Sequence, residues 1–172
     1  MQIKNKLNKF DTLRLQKTEY LINVFSNQNY FNFIRHKYGS YDNSIAIISR
    51  NIKEFQKYHN VNNTEEAYRI LYNKIISDKV EIKLTQLMPY IEKSASYVNS
   101  IKTNHELECL ATIVFLISEQ KMLTKDEIIE HFKQWSADKA KRYSEDDIIK
   151  GIETLNNSNI IEKNLTGYNV RG

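Results

Sequence analysis

The chain has 172 residues, 41% of them apolar, which is enough for one medium domain or two small ones with a sizeable core. Four glycines and a single proline argue against a loop-rich or barrel architecture, and no apolar run approaches the ~18 residues a membrane helix needs. The net charge of +4 is uneven, with ten Lys/Arg against four Asp/Glu in residues 1–60 and fifteen against seventeen in the remainder, so a basic N-terminal part could meet an anionic partner or simply be a solvated surface.

In chain order, residues 1–12 lack periodicity and read as a loose lead-in. Tyr20, Leu21, Val24 and Phe25 then fall at helical spacing. The aromatic-rich NYFNFIRHKYGSY of residues 29–41 puts Phe31, Phe33 and Arg35 on one face and Asn32, Ile34 and His36 on the other. With Gly39-Ser40 following, it predicts a short strand and turn, or a hairpin, near 30–41. Ser44 can cap a helix carrying Ile45, Ile48, Ile52 and Phe55 and ending near His59-Asn60. Asn63-Thr64 before Glu65 and Glu66 starts another, through Ala67, Ile70, Leu71 and Ile75. Leu84, Leu87, Met88 and Ile91 make a further helix, with Pro89 inside it able to kink or restart it.

The last third is the most regular. Leu107, Leu110, Ala111, Val114, Phe115 and Ile117 predict a helix over 106–119. Thr124 with Glu127, and Ser144 with Asp147, have capping-box spacing and open two more, the first carrying Ile128, Phe132 and Trp135, the second Ile148, Ile152 and Leu155. IIEKNLTGYNV reads as two short strands around Thr166-Gly167. Three helices followed by a hairpin is the winged-helix order. The fold expected is mainly α with small β elements: an N-terminal helical subdomain, 1–103, holding the strand or hairpin near 30–41, and a winged-helix-like subdomain, 104–172, the two packed together.

The chemistry of common active sites lacks its parts. His36, His59, His105 and His131 form no HxxxH or Cys/His cluster, so no metal is expected. Cys109 sits among Leu107, Leu110 and Ala111 and reads as a core residue, not a nucleophile. No phosphate-cradling glycine loop or nucleophile-elbow motif occurs, so neither an enzyme nor a cofactor is expected. One cysteine and an N-terminus without the apolar stretch of a signal peptide point to the cytoplasm. Trp135 could stack on a base but fits a core position. Lys139, Lys141 and Arg142 read as a basic loop. A winged helix that reads duplex DNA leads with the start of its third helix. Here that start is Ser144, Glu145, Asp146 and Asp147, whose carboxylates stabilise a helix N-terminus and repel phosphates, which disfavours nucleic acid as a partner.

Two stretches carry a family resemblance. FIRHKYGSYDNSIAIISRNIKEF resembles the aromatic-x-Y-G-P-Y turn and helix of SocA-like antitoxin domains, with Ser40 where that turn usually has Pro. HELECLATIVFLIS with HFKQWSADKAKRYSEDDIIKGIETLNNSNII resembles the C-terminal domain of DarG-type antitoxins. There an E-L-x-LAT helix is followed by W-x-x-x-K and a helix ending L-x-x-x-x-[IL]. The matching positions are Glu106 or Glu108, Leu110-Ala111-Thr112, Trp135, Lys139 and Leu155. The macro domain of that family, which removes ADP-ribose from DNA, has no counterpart here, so a fragment, a stand-alone version or a relative with another partner is expected. The resemblance implies an antitoxin that binds a DarT-type toxin, an ADP-ribosyltransferase acting on single-stranded DNA, and occludes its DNA site. The partner-binding residues expected are the turn Tyr38, Gly39 and Tyr41, with Arg35 and His36, and the acids Glu145, Asp146 and Asp147 standing in for phosphates. The alternative is a winged-helix transcriptional regulator of phage or mobile-element origin, using Arg35, Lys37, Arg50, Lys53 and Lys57 as its basic surface.

Overall fold

A computed structural model describes every residue except Tyr38 and Gly172, and all of their side chains except that of Ile75. Among the described residues the chain is mainly helical, with nine helices and two small antiparallel hairpins. It divides into two compact units. The first is Met1–Asn32 with Asp42–Ser100, and the second is Phe33–Tyr41 with the chain from Ile101 onward. The hairpin segment therefore belongs with the C-terminal part, not with 1–103 as the sequence suggested, and the boundary lies three residues earlier.

The first unit holds α1 (Gln2–Lys6), α2 (Thr12–Ser26), α3 (Asn43–Tyr58), α4 (Thr64–Ile75) and α5 (Asp78–Ser100). The lead-in read as loose contains α1, whose Ile3 is buried together with Leu7 just beyond it. A short apolar pair anchored on α5 and α2 makes a helix that periodicity could not reveal. The centre of the unit is α2 lying along α5. Nine consecutive residues of α2, Arg14 to Ile22, are buried, so this helix is covered on all sides although five of them are polar. Buried polar groups need partners. The Arg14 guanidinium donates to the Val98 carbonyl (2.8 Å), and the Thr18 hydroxyl donates to the Arg14 carbonyl (2.8 Å). Gln16 clamps the backbone of Asp42, donating to its carbonyl (2.8 Å) and accepting from its amide (3.0 Å).

Asp42, not Ser44, caps α3: its carboxylate accepts from the Ser44 amide (2.8 Å) and hydroxyl (2.7 Å). It also accepts from the Asn32 amide (2.8 Å), so one side chain ties together the points where the chain leaves and re-enters the unit. Burial raises the cost of that charge, but these donors hold the Asp42 carboxyl below its usual value. Asn63 caps α4 as expected. Helix α5 runs 23 residues without a break, so Pro89 does not restart it.

In the second unit, β1 (Ile34–His36) pairs with β2 (Gly39–Tyr41), with Arg35 opposite Ser40. Then come α6 (Asn104–Gln120), α7 (Lys125–Lys133), α8 (Ala137–Arg142), α9 (Glu145–Asn157), and the pair β3 (Ile161–Lys163) and β4 (Tyr168–Val170). Eleven consecutive residues of α6, Leu107 to Ile117, are buried under α7, α9, β2 and β4. Gly151 lets α9 approach: a Cβ there would lie 2.7 Å from the Ile113 side chain. Both capping boxes, Thr124 with Glu127 and Ser144 with Asp147, form. Leu123 bridges to Tyr168, adding a single-residue strand to the hairpin. One expectation fails here: Lys139, Lys141 and Arg142 are not a loop but lie in α8, a helix that Ser136 caps and whose Lys139 is buried.

Candidate functional site

Trp135 follows α7 and is 7% exposed. Its indole N–H donates to the His36 carbonyl (2.7 Å), and its ring meets Phe115 of α6 edge-on (centroids 5.5 Å apart). The Arg35 guanidinium lies over the same ring, 4.5 Å from its centroid, and donates to the Gln134 carbonyl (3.3 Å). These three contacts fasten the β1–β2 hairpin to the second unit and explain its move there. Trp135 is thus a core residue whose polar edge holds a surface element. Arg35 remains exposed, and the His36 ring lies 4.9 Å from that of Tyr41. Gly39 is buried with φ +96°, a conformation that a side chain resists. Tyr38 lies outside the described residues.

Behind Trp135 sits a charged network. Lys139 is fully buried, and its ammonium donates to Glu108 Oε1 (2.7 Å) and Thr112 Oγ1 (3.0 Å). The rings of Phe132, Trp135 and Tyr143 surround it at 5.3–5.9 Å from their centroids. Arg142 closes on the same carboxylate with two bonds, Nη2 to Oε1 (2.8 Å) and Nη1 to Oε2 (3.2 Å), and reaches Asp138 with Nε (2.8 Å). Burial works against the Glu108 charge, yet the two cations hold its carboxyl below the usual range. Burial also draws the Lys139 ammonium below its ordinary value, with Glu108 opposing. Of the two glutamates that could carry the motif, Glu108 is the one in this network, while Glu106 stays half-buried in the first turn of α6.

The acids at the start of α9 are anchored separately, since α9 packs on α6, α7 and β3. Asp147 is committed to the cap, accepting from the Ser144 amide (2.8 Å) and hydroxyl (2.7 Å), which lower its pKa. Glu145 and Asp146 are exposed, so two of the three carboxylates face outward. Beside them, His105 stacks on Tyr143 (centroids 4.2 Å) over a cavity of about 170 Å³ that reaches Cys109. Burial pushes the Cys109 thiol up to about 12, which suits a core residue and not a nucleophile.

No protein-family model, curated protein or solved structure matches this chain.

The basic residues considered for DNA are divided between the two units. Arg35 and Lys37 belong to the hairpin of the second unit, whereas Arg50, Lys53 and Lys57 are exposed along α3 of the first. Among the described residues no group of three or more His, Cys, Asp or Glu is placed to hold a metal ion, and no helix is long and apolar enough to cross a membrane. Sequence reasoning missed Arg142 and Tyr143 and the pairing of Glu108 with Lys139. The available signal was a charged residue within an unbroken apolar run, four residues before Thr112 on the same helix face.

Proposed function

We propose that the chain is a protein-binding domain of the antitoxin kind, which acts in the cytoplasm by covering the DNA site of a DarT-type ADP-ribosyltransferase and catalyses no reaction itself. One observation carries the reading: four of the residues on which the family resemblance rests, far apart in sequence, meet in a single connected assembly. Glu108, Thr112 and Lys139 bond to one another, Trp135 packs over Lys139, and through its indole N–H it holds the hairpin that displays Arg35. Such an assembly supplies a rigid surface, and preorganisation is what a steric inhibitor needs. The order of helices, single-residue strand and hairpin in the second unit supports calling it winged-helix-like. Glu145 and Asp146 are exposed and would be the acids that meet a basic DNA groove on the toxin, with Asp147 spent on the cap.

Co-expression with a DarT-type toxin tests this. A stable complex and restored growth are expected, and absence of both ends the reading. Replacing Glu145 and Asp146 with Lys should weaken the complex, whereas unchanged affinity removes local phosphate mimicry and leaves steric cover alone.

A second reading, a DNA-binding regulator, is favoured by Arg50, Lys53 and Lys57 on one exposed side of α3. It requires duplex binding that weakens steeply with salt and is lost when these three become Glu; absence of a gel shift at ~50 mM salt rejects it.

A further inference from the structure

The first unit contains a pocket that the antitoxin reading does not use. It opens among α1, α2 and α3, encloses about 70 Å³, and is walled by Ile3, Leu15, Ile45 and Ile52. Glu19 of α2 lines it and is 8% exposed; its buried Oε2 has no hydrogen-bond partner among the described residues. A carboxyl group taken out of water with one oxygen lacking a donor is costly unless it stays neutral or gains a partner. Lys4 and Lys53 line the same pocket, and the exposed Ile48 and Phe10 extend its apolar wall outward.

We propose that this pocket binds a small monocarboxylate, its acid group hydrogen-bonded to Glu19 and drawn in by Lys4 and Lys53, its short alkyl chain lying against Ile3, Leu15, Ile45 and Ile52. Charge selects an anion over an amine. The groups around Glu19 are the Met1 ammonium and Lys4 from α1, Lys53 from α3, and Asp42, whose charge is already met by Ser44 and Asn32. On α5, Glu92 is paired with Lys6 and Lys93 lies over Phe25. A cation would enter against the Lys4 and Lys53 ammonium groups, while burial draws the Met1 amine below its ordinary value. Size selects a short chain, since the enclosed volume holds about five non-hydrogen atoms when one water needs roughly 10–15 Å³. Burial, opposed by the Met1 ammonium, pushes the Glu19 carboxyl up to about 8, so at neutral pH it keeps its proton and donates it in a hydrogen bond to the ligand's carboxylate oxygen.

The test uses the full chain with propionate, propanamide and propylamine as probes, followed by calorimetry and by NMR shifts of the residues lining the pocket. Propionate is expected to bind at millimolar concentration at about pH 6.5 and to lose about tenfold in affinity by about pH 9, as Glu19 ionises. Propanamide should bind more weakly and propylamine not at all. Glu19→Gln keeps a donor that does not titrate, so its affinity for propionate should fall much less than that of the parent across that range, and Lys53→Gln should weaken propionate severalfold. Preferential binding of propylamine, or binding of none of the three by folded protein, overturns the proposal. The latter result would mean that ordered water completes the carboxyl.

Discussion

Each unit buries a glutamate in the middle of a helix, and the two fare in opposite ways. Glu108 in α6 meets Lys139 and Arg142 and is held ionised below the usual carboxylate range. Glu19 in α2 is scarcely more exposed, 8% against 4%, yet one of its oxygens has no donor among the described residues and burial raises it to about 8. Burial works against the charge of both carboxyls, so burial alone does not decide the charge state. What decides it is whether the neighbouring helix supplies cations at hydrogen-bonding distance. Helix α8 does so for Glu108 by placing Lys139 and Arg142 one turn apart. The comparison separates a group that holds structure together from one that waits for something else.

The largest effect should come from breaking the satisfied pair. Lys139→Ala leaves Glu108 buried with one cation fewer and should cost roughly 3–5 kcal/mol in denaturant unfolding. The double variant Glu108→Leu with Lys139→Met should recover most of that loss, because two apolar side chains need no partners. A double variant as unstable as the single one would show that the network contributes more than mutual neutralisation.

The same comparison predicts opposite pH dependence. Glu19 has a raised pKa in the folded state, so the fold binds an extra proton and loses stability as pH rises from the ordinary carboxylate range to about 8. Glu19→Gln should therefore be more stable than the parent by roughly 2–4 kcal/mol at about pH 9 and about equal to it near pH 4. Glu108 has a lowered pKa, so its contribution is full above the ordinary range and is lost as pH falls through the folded value. Melting curves across pH, with each glutamate replaced in turn, would expose the two trends.

Smaller effects sharpen the view of the hairpin. Trp135→Phe keeps a ring beneath Arg35 but deprives the His36 carbonyl of its donor, and should cost about 1–2 kcal/mol. Faster amide exchange confined to β1 and β2 would mark the released hairpin, and unchanged exchange would mean that packing on α6 alone holds it. Ser144→Ala removes one capping box and should cost about 1 kcal/mol by thermal melting, with no change at the hairpin.

How much of this was readable beforehand follows the range of the interaction. The boxes Thr124–Glu127 and Ser144–Asp147 and the closing hairpin formed where the sequence put them, because each is specified within a few residues, whereas α7 stops at Lys133 and leaves Trp135, expected on its apolar face, beyond its end. The sequence offers Ser44 as a cap, yet the nearby Asp42 takes the role, since it is also held by Gln16 and Asn32. Local sequence predicts a basic loop where α8 forms, because the burial of Lys139 depends on a glutamate 31 residues away.

The amino-acid order determined the mainly helical class, most element boundaries and the burial of Cys109 and Trp135, because propensity, capping and apolar spacing act locally. Tertiary structure alone decided that residues 33–41 join the C-terminal unit, that Glu108 and not Glu106 meets Lys139, and that Glu19 lies in a pocket with an oxygen unclaimed. Those outcomes depend on which side chains arrive from distant helices, and the charge state of a buried group follows the partners that reach it.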